Sequence, residues 1–91
     1  MVEEVLKCKW ALSILSAVRE GTCRPGAIER SLAGLTTKVM NERLVKLVRF
    51  GVLERLSYPE VPPRVEYRLT PFGERFSVVL DAIASLEQER P

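Results

Sequence analysis

The sequence predicts an α+β fold, mainly helical, in one small domain spanning residues 1–91. Three observations carry that expectation. Residues 35–51, LTTKVMNERLVKLVRFG, place Met40, Leu44, Leu47 and Val48 at i, i+4, i+7 and i+8, the stripe of an amphipathic helix held to a core. After Gly51 the period changes to two: Val65, Tyr67 and Leu69 alternate with Glu66 and Arg68, as in a half-buried strand. From Phe72 a helical stripe returns and runs through Phe76, Val79, Leu80, Ile83 and Leu86.

The elements follow in chain order. Glu3 to about Arg19 reads as the first helix. Val5, Cys8, Leu12 and Leu15 form one apolar stripe, and Trp10, Ile14 and Ala17 form a second. A helix apolar on two sides is buried on two sides, and in so short a chain the second surface is expected to meet another subunit. Cys8 reads as a small buried core residue. Gly21 ends the helix. Pro25 then suits the first position of a short helix, with Ile28 and Leu32 facing the core. Ala33-Gly34 turns the chain into the next helix, which Thr36 caps while Leu35 and Met40 staple it. Gly51 takes the position after the helix where a left-handed backbone is often needed.

Leu56 and Tyr58 alternate less cleanly than the later strand, and residues 59–64, PEVPPR, contain three prolines. A stiff loop between two antiparallel strands is the expected result. Thr70 and Pro71 cap and open the last helix. Short helix, Gly turn, capped helix and hairpin together make a winged helix-turn-helix with a two-stranded wing. The last apolar stripe runs about four turns, more than the domain core can use. Residues 1–19 and 71–88 are therefore expected to supply dimerisation helices, with Trp10, Ile14, Phe76, Val79, Leu80, Ile83 and Leu86 at a homodimer interface.

Charge is distributed rather than abundant. The chain carries +2 overall, yet Lys38, Arg43, Lys46 and Arg49 against Glu42 alone give residues 36–50 a net +3. Residues 70–91 carry −2, from Glu74, Asp81, Glu87 and Glu89 against Arg75 and Arg90. A basic middle and an acidic end suit one DNA face and one protein face. A solvated helix surface carries the same residue types, so charge alone does not decide. No run of about 18 apolar residues occurs, and Glu3 and Glu4 do not resemble the start of a signal peptide, so a cytoplasmic location away from membranes is expected. Two cysteines, Cys8 and Cys23, and no histidine cannot assemble a Cys/His zinc site within one chain. No structural disulfide and no cofactor are expected.

Lys9-Trp10 ahead of an apolar helix, then Gly34-Leu35-Thr36, then YPEVPPRVEYRLT at residues 58–70, resemble the HxlR-type transcriptional regulators. These are winged-helix proteins related in architecture to the MarR group, and the resemblance covers nearly the whole chain. It implies a homodimer on a roughly palindromic operator of double-stranded DNA, with no enzymatic activity. It implies that Thr36, Thr37, Lys38, Asn41 and Glu42 face bases or the groove. Short hydroxyls, an amide that pairs bidentately with adenine, and a lysine that reaches guanine or phosphate fit that role. Glu42 stands where the family has an uncharged amide; it would accept from cytosine N4 or bridge to Lys46. Arg64 resembles the wing residue placed near the minor groove or backbone, and Arg24 and Arg30 flank the short helix where they could clamp phosphates. Pro25-Gly26 replaces an aromatic-containing pair usual in relatives, and Val48 and Phe50 stand where relatives carry charge. Some members sense aldehydes, quinones or oxidants. Oxidant sensors carry a cysteine in an extension well upstream of the tryptophan; nine residues precede Trp10 in this sequence, so thiol sensing is not carried over.

Two other function classes compete with this one. A winged helix can serve as a protein-docking module, since fold does not fix function, and an apolar groove over Val45 and Val48 would favour it. An enzyme is disfavoured by the lack of histidine, of a Gly-rich phosphate loop and of a nucleophile motif. A small-molecule effector site near Trp10 at the dimer interface stays open beside the reading of Trp10 as core.

Overall fold

In the computed structural model, residues 2–7 and 9–90 are described. The elements are α1 (Val2–Lys7), α2 (Lys9–Arg19), α3 (Pro25–Ser31), α4 (Thr37–Arg49), β1 (Leu53–Tyr58), β2 (Arg64–Leu69) and α5 (Pro71–Gln88). This is a mainly helical fold with one two-stranded antiparallel sheet, a winged helix-turn-helix. The expected first helix is thus described as two spans either side of Cys8; the expectation of a buried Cys8 lies outside the described residues.

The core forms where the stripes converge. Ile14, Leu15, Ile28, Leu44, Leu47, Val52 and Leu53 are fully buried, with Met40, Tyr67 and Phe76 beside them. Helix α2 is the central element and packs on α1, α3, α4 and β2. That position corrects one expectation. Ile14 and Ala17, assigned to a surface that meets another subunit, are buried inside the protomer, because α3, α4 and the wing cover both sides of α2. Among the described residues, the exposed large apolar side chains of α1 and α2 are Leu6 and Leu12. Val48 also departs from expectation: it is 36% exposed, while Met40, Leu44 and Leu47 alone carry the buried stripe of α4.

Local signals set the helix ends. The Thr36 hydroxyl accepts from the Val39 amide at 3.2 Å, and Leu35 and Met40 are both buried as a staple requires. At the far end Gly51 has φ +78°, its amide donates to the Val48 carbonyl, and the Val52 amide reaches Leu47 at 3.0 Å. That pair of bonds is a Schellman motif, closed by burial of Val52 against Leu47. Helix α2 ends in the same way at Gly21, φ +100°, with Thr22 donating to Ala17. Thr70 caps α5 by accepting from Gly73 at 2.8 Å. Gly73 itself is buried against the backbone of Val52, where a Cβ would collide with the carbonyl oxygen.

The wing pairs Leu53 with Leu69 through to Tyr58 with Arg64. Leu53, Val65, Tyr67 and Leu69 share one face, which packs on the helices; Tyr58, Arg64, Glu66 and Arg68 share the other. The Tyr67 amide also donates to the Cys23 carbonyl at 2.8 Å, which ties the wing to the segment entering α3. Beyond Leu80 every described residue of α5 is exposed, so only the first half of that helix belongs to the core.

Candidate nucleic-acid interface

The buried stripe of α4 fixes which side of that helix faces water. Thr36, Thr37, Lys38, Asn41 and Glu42 are all exposed, and they lie in the first half of the helix or at its cap. The same residues were singled out from the sequence, and burial of Met40 and Leu44 is the reason they share an outward surface. No hydrogen bond or ion pair is described between Glu42 and Lys46; Lys46 instead meets Glu4 of α1 at 3.3 Å, and Glu42 lies 3.9 Å from Arg43. The expected i, i+4 bridge is therefore replaced by a tie between α1 and α4, which leaves the Glu42 carboxylate more than half exposed.

Thr37 is joined to α3. Its hydroxyl donates to the Glu29 carboxylate at 2.8 Å across the helix-turn-helix. Nothing in the local sequence pointed to Glu29; eight residues separate the pair, and only the crossing of α3 and α4 brings them together. Arg30 is exposed and folds back along α3, so that a Cβ at Gly26 would stand 3.2 Å from its Nη1. The missing Cβ of Gly26 thus leaves room for the Arg30 guanidinium beside the start of α3.

Arg24 and Arg64 come together. With Pro25, Gly26, Pro62 and Pro63 they line an open groove of about 560 Å³ between the start of α3 and the wing tip. Arg64 is more constrained than its loop position suggested. Its guanidinium lies 4.2 Å from the centre of the Tyr58 ring, and its Nε is 3.2 Å from Glu60 and 3.5 Å from Glu66. Arg68 shares Glu66 at 3.4 Å and donates to the Tyr58 hydroxyl at 3.3 Å. Tyr58 sits directly opposite Arg64 in the hairpin register, so this stacked pair was legible in principle once the strands were aligned. Arg55, which the sequence did not single out, is exposed on the opposite face and donates to Ser57 at 3.0 Å.

The residues assigned to dimerisation divide into two groups. Ile14 and Phe76 are buried in the protomer's own core, and Trp10 and Leu80 are partly buried against it. A Cβ on Gly34 would lie 3.8 Å from the Trp10 ring, so Trp10 lies close beneath the turn between α3 and α4. Val79, Ile83 and Leu86 are exposed on α5, at 51%, 37% and 67%, beside Val78 at 65%. Arg19 and Asp81 join α2 to α5 through two bonds of 2.7 Å. The hydrogen bond from Arg19 lowers the pKa of Asp81, and the same bond raises that of Arg19. Among the described residues no cluster of three or more His, Cys, Asp or Glu could hold a metal, and no helix is long and apolar enough to cross a membrane.

The family model for the HxlR-like helix-turn-helix matches residues 5–90. The helix-turn-helix transcriptional regulator YtfH of Escherichia coli K12 is 44% identical over 84 residues, covering 89% of this chain and 67% of its own. The regulator sll1512 of Synechocystis is 39% identical, over 93% of this chain and 63% of its own length. The chain thus spans about two thirds of the length of these relatives. A MarR-family transcriptional regulator from Enterococcus faecalis V583 superposes with a TM-score of 0.87 at 35% identity, over 94% of this chain and 78% of its own. YtfH from Salmonella typhimurium gives 0.82 at 39% identity, over 96% and 78% of the two chains. With the winged helix, the outward polar start of α4 and these likenesses together, the chain belongs to the HxlR-like helix-turn-helix family of winged-helix, DNA-binding transcriptional regulators.

Proposed function

We propose that the protein acts as a homodimer that represses transcription by occupying a palindromic operator. One observation carries the DNA-facing part: Thr36, Thr37, Lys38, Asn41 and Glu42 are exposed together while the other side of α4 is buried. On this reading the start of α4 enters the major groove, Lys38 and Asn41 read base edges, and Arg24, Arg30 and Arg64 reach the backbone beside them. Repression needs no contact beyond occupancy, since bound protein excludes polymerase from the same DNA. The homodimer is supported by the apolar strip Val79, Ile83 and Leu86, which the protomer leaves in water. Two recognition helices would then fall about one DNA turn apart, ~34 Å.

Selection of bound duplexes from a random pool tests DNA binding, twofold symmetry and half-site spacing together. The expected result is a site with twofold symmetry and half-sites about 10 base pairs apart. Recovery of no enriched sequence, or of an asymmetric single half-site, would overturn it. Lys38→Ala and Asn41→Ala are each expected to cost roughly 1–3 kcal/mol on the selected site and to relax preference at individual positions.

A second reading rests on Val45 and Val48, which are 57% and 36% exposed on the later half of α4. They suit contact with a protein partner. Val45→Lys separates the two: regulation and DNA affinity both persist if α4 acts only by reading DNA through its first half, whereas regulation is lost with DNA affinity intact if this patch docks a protein.

A further inference from the structure

We propose that Glu29 sets the base preference of the recognition helix by fixing which way the Thr37 hydroxyl is polarised, so that Thr37 selects a base edge carrying an amino group. This rests on the DNA-binding reading above and assigns a positioning role to a residue of α3.

A hydroxyl has one hydrogen to donate and two lone pairs with which to accept. A carboxylate only accepts. Because Thr37 Oγ1 lies 2.8 Å from Glu29 Oε1, the hydrogen of Thr37 is committed to Glu29. What remains exposed on Thr37 is acceptor capacity alone. The neighbouring Thr36 is polarised in the opposite sense. Its oxygen accepts from the Val39 amide at 3.2 Å, so its hydrogen is not used in the cap. Two adjacent threonines, identical in sequence terms, therefore offer different chemistry at the start of α4: Thr37 can only accept, whereas Thr36 still has a hydrogen to donate.

The major groove distinguishes these two states. Adenine N6 and cytosine N4 are donors; guanine O6 and N7 and thymine O4 are acceptors. An acceptor-only Thr37 pairs with adenine or cytosine and leaves guanine and thymine unsatisfied. It is equally unsuited to phosphate, which also only accepts. Thr36, with its hydrogen available, suits phosphate or a keto oxygen. Asn41 carries both a donor and an acceptor, so it can match either kind of base edge. The Glu29 carboxylate adds to the bias, because a negative charge beside Thr37 repels phosphate and favours an amino group.

The test uses the site selected by the wild-type chain, with Thr37→Val, Thr37→Ser and Glu29→Ala alongside. Base analogues that lack the exocyclic amino group, purine for adenine and pyrimidin-2-one for cytosine, are placed singly through the half-site. One position should lose about five- to tenfold in affinity with the analogue in wild type, the worth of one hydrogen bond. Thr37→Val should bind the natural site more weakly by a similar factor and show no further loss with the analogue. Thr37→Ser should restore the analogue effect. In Glu29→Ala the freed hydroxyl can donate, so discrimination between amino and keto bases at that position should fall toward one while the overall fold, read by circular dichroism, is unchanged. An analogue effect that persists in full in Thr37→Val, or discrimination that survives intact in Glu29→Ala, overturns the assignment while DNA binding stands. A wild-type preference for guanine or thymine at the Thr37-dependent position overturns it as well. Failure of every protein, wild type included, to enrich any duplex removes the DNA-binding reading and this inference with it.

Discussion

At the scale of single residues, the fold depends on a few backbone positions whose requirements are unequal. Gly73 is the most demanding. It is buried where α5 meets the end of α4, and a Cβ there would overlap the Val52 carbonyl oxygen, a backbone atom that cannot rotate away. Gly73→Ala is expected to destabilise by roughly 1–3 kcal/mol, the usual cost of forcing extra volume into a packed site, as read by urea unfolding. An unchanged midpoint would show that α5 can move outward freely. Thr36→Ala removes the acceptor for the Val39 amide and should cost about 1 kcal/mol, whereas Thr36→Ser keeps it and should be close to neutral. Thr36 was visible from its type and place before a helical stripe. Gly73 was not, because the need for a missing Cβ arises from α5 approaching Val52, far back along the chain.

At the scale of elements, the wing shows how a correct assignment can carry the wrong electrostatics. Its strands and its proline-rich loop were readable from alternation and composition, and Arg64 does stand at its tip. Yet Arg64 faces Glu60 and Glu66 while Arg68 shares Glu66, so the two guanidinium groups are balanced by one carboxylate on their own sheet face and one in the loop. In the free protein this face presents little net charge to DNA. Glu66→Gln is therefore expected to steepen the dependence of DNA affinity on salt, by up to about one further released counterion for each arginine freed. The slope of log affinity against log salt measures it; an unchanged slope would mean that the two arginines stay clear of phosphate even when uncoupled. Helix α4 gives the converse case. Its cap, the Met40, Leu44 and Leu47 part of its stripe and its Gly51 terminus were legible, since each is a local pattern, but the exposure of Val48 and the engagement of Lys46 by Glu4 depend on what lies across the helix.

At the scale of the whole molecule, the question is what covers the end of α5. The molecule extends 53 Å along its long axis but only 21 Å along its shortest, and Val79, Ile83 and Leu86 are in water. Ile83→Glu with Leu86→Glu should yield a folded monomer by sedimentation, with operator affinity reduced because two half-sites are no longer bound by one particle. A dimer that survives both changes would move the interface elsewhere. The Arg19–Asp81 pair, which joins α2 to the same helix, gives a modest pH dependence. Asp81 has its pKa lowered by the hydrogen bond from Arg19, so its contribution is complete above the ordinary carboxylate range and is lost as pH falls through the lowered value. The raised pKa of Arg19 acts only at strongly alkaline pH, so the visible effect is on the acid side. Because the pair is exposed, Asp81→Asn should remove only a small part of the acid-induced drop in Tm, which thermal melts at neutral and acidic pH would resolve.

The sequence by itself determined the element order, the caps, the wing and the outward side of α4, because each rests on spacing or residue type within a few turns of chain. It also determined the family resemblance, through motifs spread from Lys9-Trp10 to Thr70. Only the tertiary structure decided that Ile14 and Phe76 lie inside the protomer, that Arg64 is held by two carboxylates, and that the Thr37 hydroxyl donates to Glu29. The physical reason is the same in each case. An apolar stripe states that a surface must be buried but not against what, and a polar side chain states what it can bond but not which partner will stand within 3 Å. Partners of that kind are set by how helices cross, and crossing is a property of the packed core.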